Sequence, residues 1–174
     1  MHLQSERLIL RPVTTNDADA LYRIYGDPAT NRFNPAGPHV DITHSRRVLE
    51  GWLEHFALHG FGNWAISLRD SPSHVIGFGG LRRVEYPDGT VNNLGYRFAT
   101  EAWGNGLATE FSLLAIDYAF NTLKLEDLVG IVRKNHLASQ KVLQKCGLTL
   151  IREIDDVPGE EPSLMFMLRR ESRA

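Results

Sequence analysis

Gly104 and Gly106 stand just before a helix-like run, with Ala108 at the next alternate position, in the stretch Ala102-Trp103-Gly104-Asn105-Gly106-Leu107-Ala108-Thr109-Glu110. Small residues at these positions leave the backbone N–H groups open to a ligand. The first amides of a helix have no partner inside it, and the helix dipole makes that end partly positive. The chemistry offered is therefore capture of an anion, phosphate above all. Further along, Asn135 and Ser139 are four residues apart, a spacing that shares one helix face and presents an amide and a hydroxyl together. No lysine follows the glycines as G-x-x-x-x-G-K-S/T requires, which argues against a nucleoside-triphosphate loop. A dinucleotide fingerprint fits poorly too. Glu126 stands at about the right distance from Gly104-x-Gly106, but it precedes the next strand instead of ending it, and the upstream strands read as antiparallel rather than as a βαβαβ unit. A helix start with small residues for close packing is the simpler alternative.

Hydrophobic periodicity defines the elements that must position these groups. Residues 6–13 alternate as a first strand, and a helix follows from about Asn16, with Asp17 and Asp19 in its first turn. Residues 28–38 hold three prolines and a glycine and form a loop. Val48, Leu49, Trp52, Leu53 and Phe56 repeat at helical spacing over residues 42–59, and Gly60 ends that helix. Residues 63–68 and 75–81 read as strands. Pro87-Asp88-Gly89-Thr90 is a hairpin turn leading into a strand that ends near Phe98. The glycine turn comes next, and then a helix with Leu107, Phe111, Leu114, Ala115 and Tyr118 on one side. A short strand over 128–132, a helix from Asn135 to Gly147 and a strand pair at 149–154 and 163–168 complete the order β-α-α-β-β-β-α-β-α-β-β. That order predicts an α/β fold, with a mixed sheet of about seven strands and helices on both faces. Residues 1–174 read as a single domain.

Composition narrows the partners. At 43% apolar, 23% charged and a net charge of -2, the chain resembles an ordinary soluble globular protein and has no electrostatic footprint for nucleic acid or anionic membrane. The first residues lack a signal-peptide core, and no apolar run reaches membrane-spanning length. One cysteine, Cys146, excludes an intrachain disulfide framework. The expected location is cytoplasmic.

The segment Arg133-Lys134-Asn135-His136-Leu137-Ala138-Ser139-Gln140-Lys141-Val142-Leu143-Gln144-Lys145-Cys146-Gly147-Leu148 gives the glycine turn a context. With it, the chain resembles the GCN5-related N-acetyltransferases (GNAT family), and most closely their Rim-type branch, which acetylates ribosomal-protein N-termini. Residues 103–108 fill that family's pyrophosphate loop, Q/R-x-x-G-x-G/A, with Trp103 in place of glutamine or arginine. Asn135, Ser139, Lys145 and Gly147 match its next motif, N-x-x-x-S-x-x-x-x-x-K-x-G. Either motif alone is weak, but the two together, in order and on the right elements, are specific. The resemblance runs from residues 7–11 to the last strand pair.

The resemblance implies acetyl-coenzyme A (acetyl-CoA) as co-substrate and a sheet splayed between its fourth and fifth strands, where the strand ending near Phe98 parts from the 128–132 strand. It implies that backbone groups of Tyr96, Phe98 and Thr100 pair with the pantetheine arm. Trp103, Gly104, Asn105, Gly106, Leu107, Ala108 and Thr109 would hold the pyrophosphate, with Lys141 and Lys145 in reach of phosphate. An amide near Phe98 would polarise the thioester carbonyl. Asn135 would orient the cofactor amide, although asparagine also favours a helix N-cap. Many relatives supply a tyrosine as the acid for the departing sulfur. The helix from Asn135 contains none, so Ser139 or water is the inferred substitute.

The acceptor is expected to be a primary amine, either a protein N-terminus or a small molecule, and direct attack requires removal of its proton. Glu85, at a strand end, and Glu160 or Glu161, before the last strand, are candidate bases. Glu101 and Glu110 flank the phosphate loop and read as local structure. An N-terminal amine has a pKa of about 8, so a water relay could suffice. Phe33, Asn34, Trp64 and Arg82 are candidate acceptor-site residues, with Trp64 equally readable as core. His55 and His59 have metal-site spacing but no third ligand, and no metal is expected. Cys146 reads as a packed residue. Two other readings stay open: a small-molecule acetyltransferase (metabolite, antibiotic or polyamine) and a non-catalytic acetyl-CoA-binding module.

Overall fold

The computed structural model describes residues 2–172. Its strands are β1 (Leu3–Gln4), β2 (Leu8–Pro12), β3 (Asn63–Leu68), β4 (Val75–Tyr86), β5 (Gly89–Phe98), β6 (Asp127–Val132), β7 (Thr149–Ile154) and β8 (Ser163–Arg169). The α-helices are α1 (Ala18–Tyr25), α2 (Ile42–His59), α3 (Leu107–Asp117) and α4 (Leu137–Lys145). All eight strands join one mixed sheet in the order β1-β2-β3-β4-β5-β6-β8-β7. The eighth strand, beyond the expected seven or so, is β1. It pairs Leu3 with Leu10 and Gln4 with Ile9, and is too short for alternation to reveal it.

Local chemistry fixes the helix ends. Thr14 and Asp17 form a capping box ahead of α1, and Arg11 holds both Asp17 oxygens at 2.9 and 2.6 Å. The Asp41 side chain accepts the His44 N–H at the start of α2, and Gly60 ends that helix in the left-handed conformation. The hairpin turn falls as expected: Tyr86 pairs with Gly89 around Pro87 and Asp88.

The core has two layers. On one face, Leu8, Leu10, Ile66, Leu81 and Leu94 of the sheet are buried against Phe111 and Ala115 of α3 and Leu143 of α4. On the other, Leu21 and Ile24 of α1 and Leu49 and Trp52 of α2 are buried in one cluster with Ala65 and Phe78 of the sheet. Leu49 and Trp52 come from the stripe read in α2, at 2% and 7% exposure.

One irregularity in the sheet positions everything that follows. β4 pairs with β5 along its length, from Gly77↔Phe98 to Tyr86↔Gly89, and β6 pairs with β8 from Asp127↔Arg169 to Val132↔Leu164. Between them, the parallel neighbours β5 and β6 share only the pair Asn93↔Val129. Beyond Asn93 the sheet opens, and residues 94–98 present an edge with no strand beside it.

Candidate active site

A cavity of about 830 Å³ occupies this opening. Gly104, Gly106, Thr109, Lys141 and Lys145 line one end, and Thr30, Arg32, Phe33, Asn34 and Arg97 line the other. Tyr96, Phe98 and Ser139 lie between, and His136 and Asp156 are also on the wall.

The glycine turn has the conformation its composition suggests. Gly104 has φ +81° and Gly106 φ +75°, a region L side chains rarely adopt. A Cβ on Gly104 would meet nothing within 4 Å, so conformation rather than crowding selects glycine there. Gly106 is the N-cap of α3 and makes no side-chain cap bond, which leaves the first-turn amides available.

The turn is anchored from both sides. The Trp103 indole N–H donates to the Phe98 carbonyl at 3.0 Å, tying the loop to the end of β5. Arg7 donates to the Asn105 carbonyl at 2.8 Å and to Glu110 Oε1 at 2.7 Å. Ser5 and the Arg7 backbone N–H both donate to Glu110 Oε2. Burial pushes the Glu110 carboxyl up, but these hydrogen bonds outweigh it and hold it below its usual value. Glu110 is thus the local clamp expected, and Asn105, whose carbonyl accepts from Arg7 and whose side chain donates to the Trp103 carbonyl, is not on the cavity wall.

Across the opening, Tyr96 Oη lies 3.0 Å from Ser139 Oγ. Burial raises the Tyr96 pKa, with the Ser139 hydrogen bond pulling the other way, so the phenol keeps its proton through neutral pH. β5 thus places a tyrosine hydroxyl beside Ser139, on a helix that carries no tyrosine of its own. The family resemblance implies only a backbone role for Tyr96, and nothing in the spacing aims its ring at α4.

Several expected site residues fall elsewhere. Asn135 is exposed and off the cavity wall. The helix begins at Leu137 with His136 as N-cap, because residues 133–136 make a turn closed by His136 N–H on the Arg133 carbonyl. The Gln140 side chain satisfies the Arg133 and Lys134 carbonyls. Asn135 is therefore neither the N-cap nor a partner of Ser139. Thr100 is exposed in a short 3-10 turn, also off the wall.

Trp64 is 3% exposed and packs edge-on against Phe111 and Tyr118. It belongs to the core rather than to the acceptor site. Arg82 is exposed and outside the cavity, as are Glu85 and Glu160. Glu161 pairs with Lys134 at 3.6 Å. Phe33 and Asn34 do line the cavity, and Phe33 stacks on His136 at 4.0 Å.

The carboxylate that reaches the cavity wall, among the described residues, is Asp156. It lies in the loop between β7 and β8, which carries no motif to mark it. His136 is the other proton acceptor on the wall, and burial lowers its pKa and keeps the imidazole neutral.

The remaining candidates are structural. His55 donates from Nδ1 to the Phe61 carbonyl at 3.0 Å and accepts the Arg83 N–H on Nε2 at 2.9 Å. It is a half-buried backbone clamp beside His59, not an exposed helix-face residue. No group of three metal-ligating side chains occurs among the described residues. Cys146 is buried, with its thiol pushed up to about 11 by desolvation, which makes it a poor nucleophile.

Residues 7–149 match the family described as "Acetyltransferase (GNAT) domain", and the chain belongs to that family. Among relatives, it is 26% identical over 174 residues to "Uncharacterized N-acetyltransferase p20" of Bacillus licheniformis, covering 97% of each chain. Among solved structures, the acetyltransferase from Agrobacterium tumefaciens superposes with a TM-score of 0.81 at 26% identity, over 97% of this chain and 94% of that one. Mycobacterium smegmatis RimJ in complex with CoA-disulfide shares the fold at a TM-score of 0.77 and 20% identity, over 99% and 88% of the two chains. The chain is an N-acetyltransferase of the GNAT family.

Proposed function

We propose that this single-domain enzyme moves an acetyl group from acetyl-CoA to a primary amine, with a protein N-terminal α-amine as first candidate, and that it works in the cytoplasm. The observation that carries this reading is the cavity, which runs from the left-handed Gly104 and Gly106 turn, past the free edge of β5, to the Phe33 and Asn34 wall. The residues present fit the donor. Unpaired amides at the start of α3, with Lys141 and Lys145 nearby, suit a pyrophosphate, and the edge at Tyr96 and Phe98, free of a neighbouring strand although Trp103 takes the Phe98 carbonyl, suits an amide-bearing arm. The CoA-disulfide named in the RimJ structure supports the same assignment.

Acetyl-CoA, when bound, supplies an activated thioester. The chain holds its phosphates through the amides of residues 104–109 and aligns the arm along β5. An amide near Phe98 polarises the carbonyl. Ser139, hydrogen-bonded to the protonated Tyr96 phenol, holds a proton where the sulfur departs. A fraction of an α-amine is already neutral near pH 8, so water in the cavity can take the remaining proton without Glu85 or Glu160. Mass measurement of amines incubated with enzyme and acetyl-CoA should show acetylated product. Tight acetyl-CoA binding with no acetylated amine of any kind would contradict catalysis and favour a binding module.

A further inference from the structure

One of the cations on the cavity wall, Arg97, is held by the loop after α1. Alternation along β5 turns Tyr96 toward α3 and Arg97 toward α1 and the loop after it. The Arg97 guanidinium lies 4.3 Å from the Tyr25 ring centroid and donates to Asn31 Oδ1 at 2.8 Å. Asn31 is 6% exposed, and its amide donates to the Tyr25 and Asp27 carbonyls, both at 2.8 Å. Those bonds fix its orientation and keep Oδ1 on Arg97.

Arg97 is thus held in place, yet no carboxylate among the described residues lies within ion-pair distance of it. Arg133 on the same wall has one; Arg32, also on the wall, has none among the described residues but is exposed, whereas Arg97 is half-buried. A half-buried guanidinium with donors to spare, on the wall of a cavity, favours an anionic ligand that can accept from the fork.

Asp156 is its counterpart on the same cavity wall. Its side chain is 17% exposed, and Arg133 stands 3.7 Å from Oδ1, too far for a hydrogen bond. That buried oxygen has no hydrogen-bond partner. Arg133 instead donates to Ser163 Oγ at 3.0 Å. The cavity wall therefore carries a carboxylate that is ion-paired with Arg133 yet has no hydrogen bond at its buried Oδ1, and a guanidinium with no carboxylate partner among the described residues.

We propose that the acceptor is an amine that also carries a carboxylate, with the amine N–H donating to Asp156 and the carboxylate held by Arg97. This rests on the acetyltransferase reading and specifies its substrate class. Two sources share that chemistry: a free amino acid, and a peptide with an acidic residue next to its N-terminus.

Calorimetric titration of the full chain, saturated with CoA, separates them. One matched pair is glutamate and its diamide. The other is a tripeptide amide with aspartate in second place and the same peptide with asparagine there. At least one carboxylate member should bind about tenfold tighter than its amide, since charge-assisted hydrogen bonds are the strong ones. The pair that discriminates identifies the source. Arg97→Gln should bring the ratio to about twofold, and Arg97→Lys, which keeps the charge without the fork, should leave it between the two. Thermal melting of both variants checks the fold, and if Arg97→Gln melts early the Arg97→Lys ratio decides. Equal or undetectable binding within both pairs, or a ratio unchanged in a folded Arg97 variant, would overturn the proposal. Discrimination without acetylation of any amine would defeat the acetyltransferase reading alone.

Discussion

Tyr96 and Ser139 meet across the opened sheet, hydroxyl to hydroxyl at 3.0 Å, so two elements that share no ladder are joined at the point where a donor sulfur would leave. Positioned proton donors contribute roughly 10²–10⁴-fold to rates. If the pair supplies the proton, Ser139→Ala should lower kcat by about 10²-fold, with Tyr96→Phe in the same direction and the KM for acetyl-CoA within about threefold of wild type. Steady-state kinetics checks this, and an unchanged kcat in both variants would remove the pair from catalysis.

Gly106 sits at φ +75° at the head of α3. Gly106→Glu adds a carboxylate beside the proposed pyrophosphate and strains the backbone as well. Gly106→Asn provides the control, because asparagine tolerates the left-handed region. We expect the glutamate variant to weaken acetyl-CoA binding by more than about tenfold and the asparagine variant by much less, the difference reflecting charge at a helix N-terminus. Calorimetry reads both.

His39 stacks on His44, hydrogen-bonds Ser45 Oγ at 2.7 Å, and has its pKa lowered to about 4, mainly by desolvation and then by the His44 and Arg97 charges. The folded state therefore prefers the neutral ring. Its contribution to stability is complete above the unfolded value near 6.5 and is lost as pH falls toward 4. Urea unfolding at pH 7 and pH 5 should show a loss of stability that is smaller in His39→Gln.

Phe111 is 0% exposed and packs edge-on against Trp64, Tyr96 and Phe98. Phe111→Ala should cost about 3–5 kcal/mol, seen as a lower denaturation midpoint. Because the same ring supports the β5 wall, activity should fall along with stability.

The elements with strong periodicity were legible from sequence: the α2 stripe, the Pro87–Asp88 hairpin and the glycine turn all fall where their chemistry places them. The cavity wall was less legible, because it is assembled from loops and strand faces that share no period. Asp156 lies in an irregular loop, and Arg97 looks like any outward strand residue until Asn31 and Tyr25 are seen beneath it. Asn135 misled because its type suits a cap, whereas Gln140 satisfies the turn carbonyls and shifts the helix start to Leu137.

The central claim concerns turnover, and thiol release from acetyl-CoA measures it most directly. Across a panel of amino acids, peptides and simple amines, the wild-type enzyme should release thiol only when an acceptor amine is present, and Gly106→Glu should abolish that release at acetyl-CoA concentrations that saturate the wild type. Release with no dependence on any amine, or undiminished release by Gly106→Glu, would contradict the account.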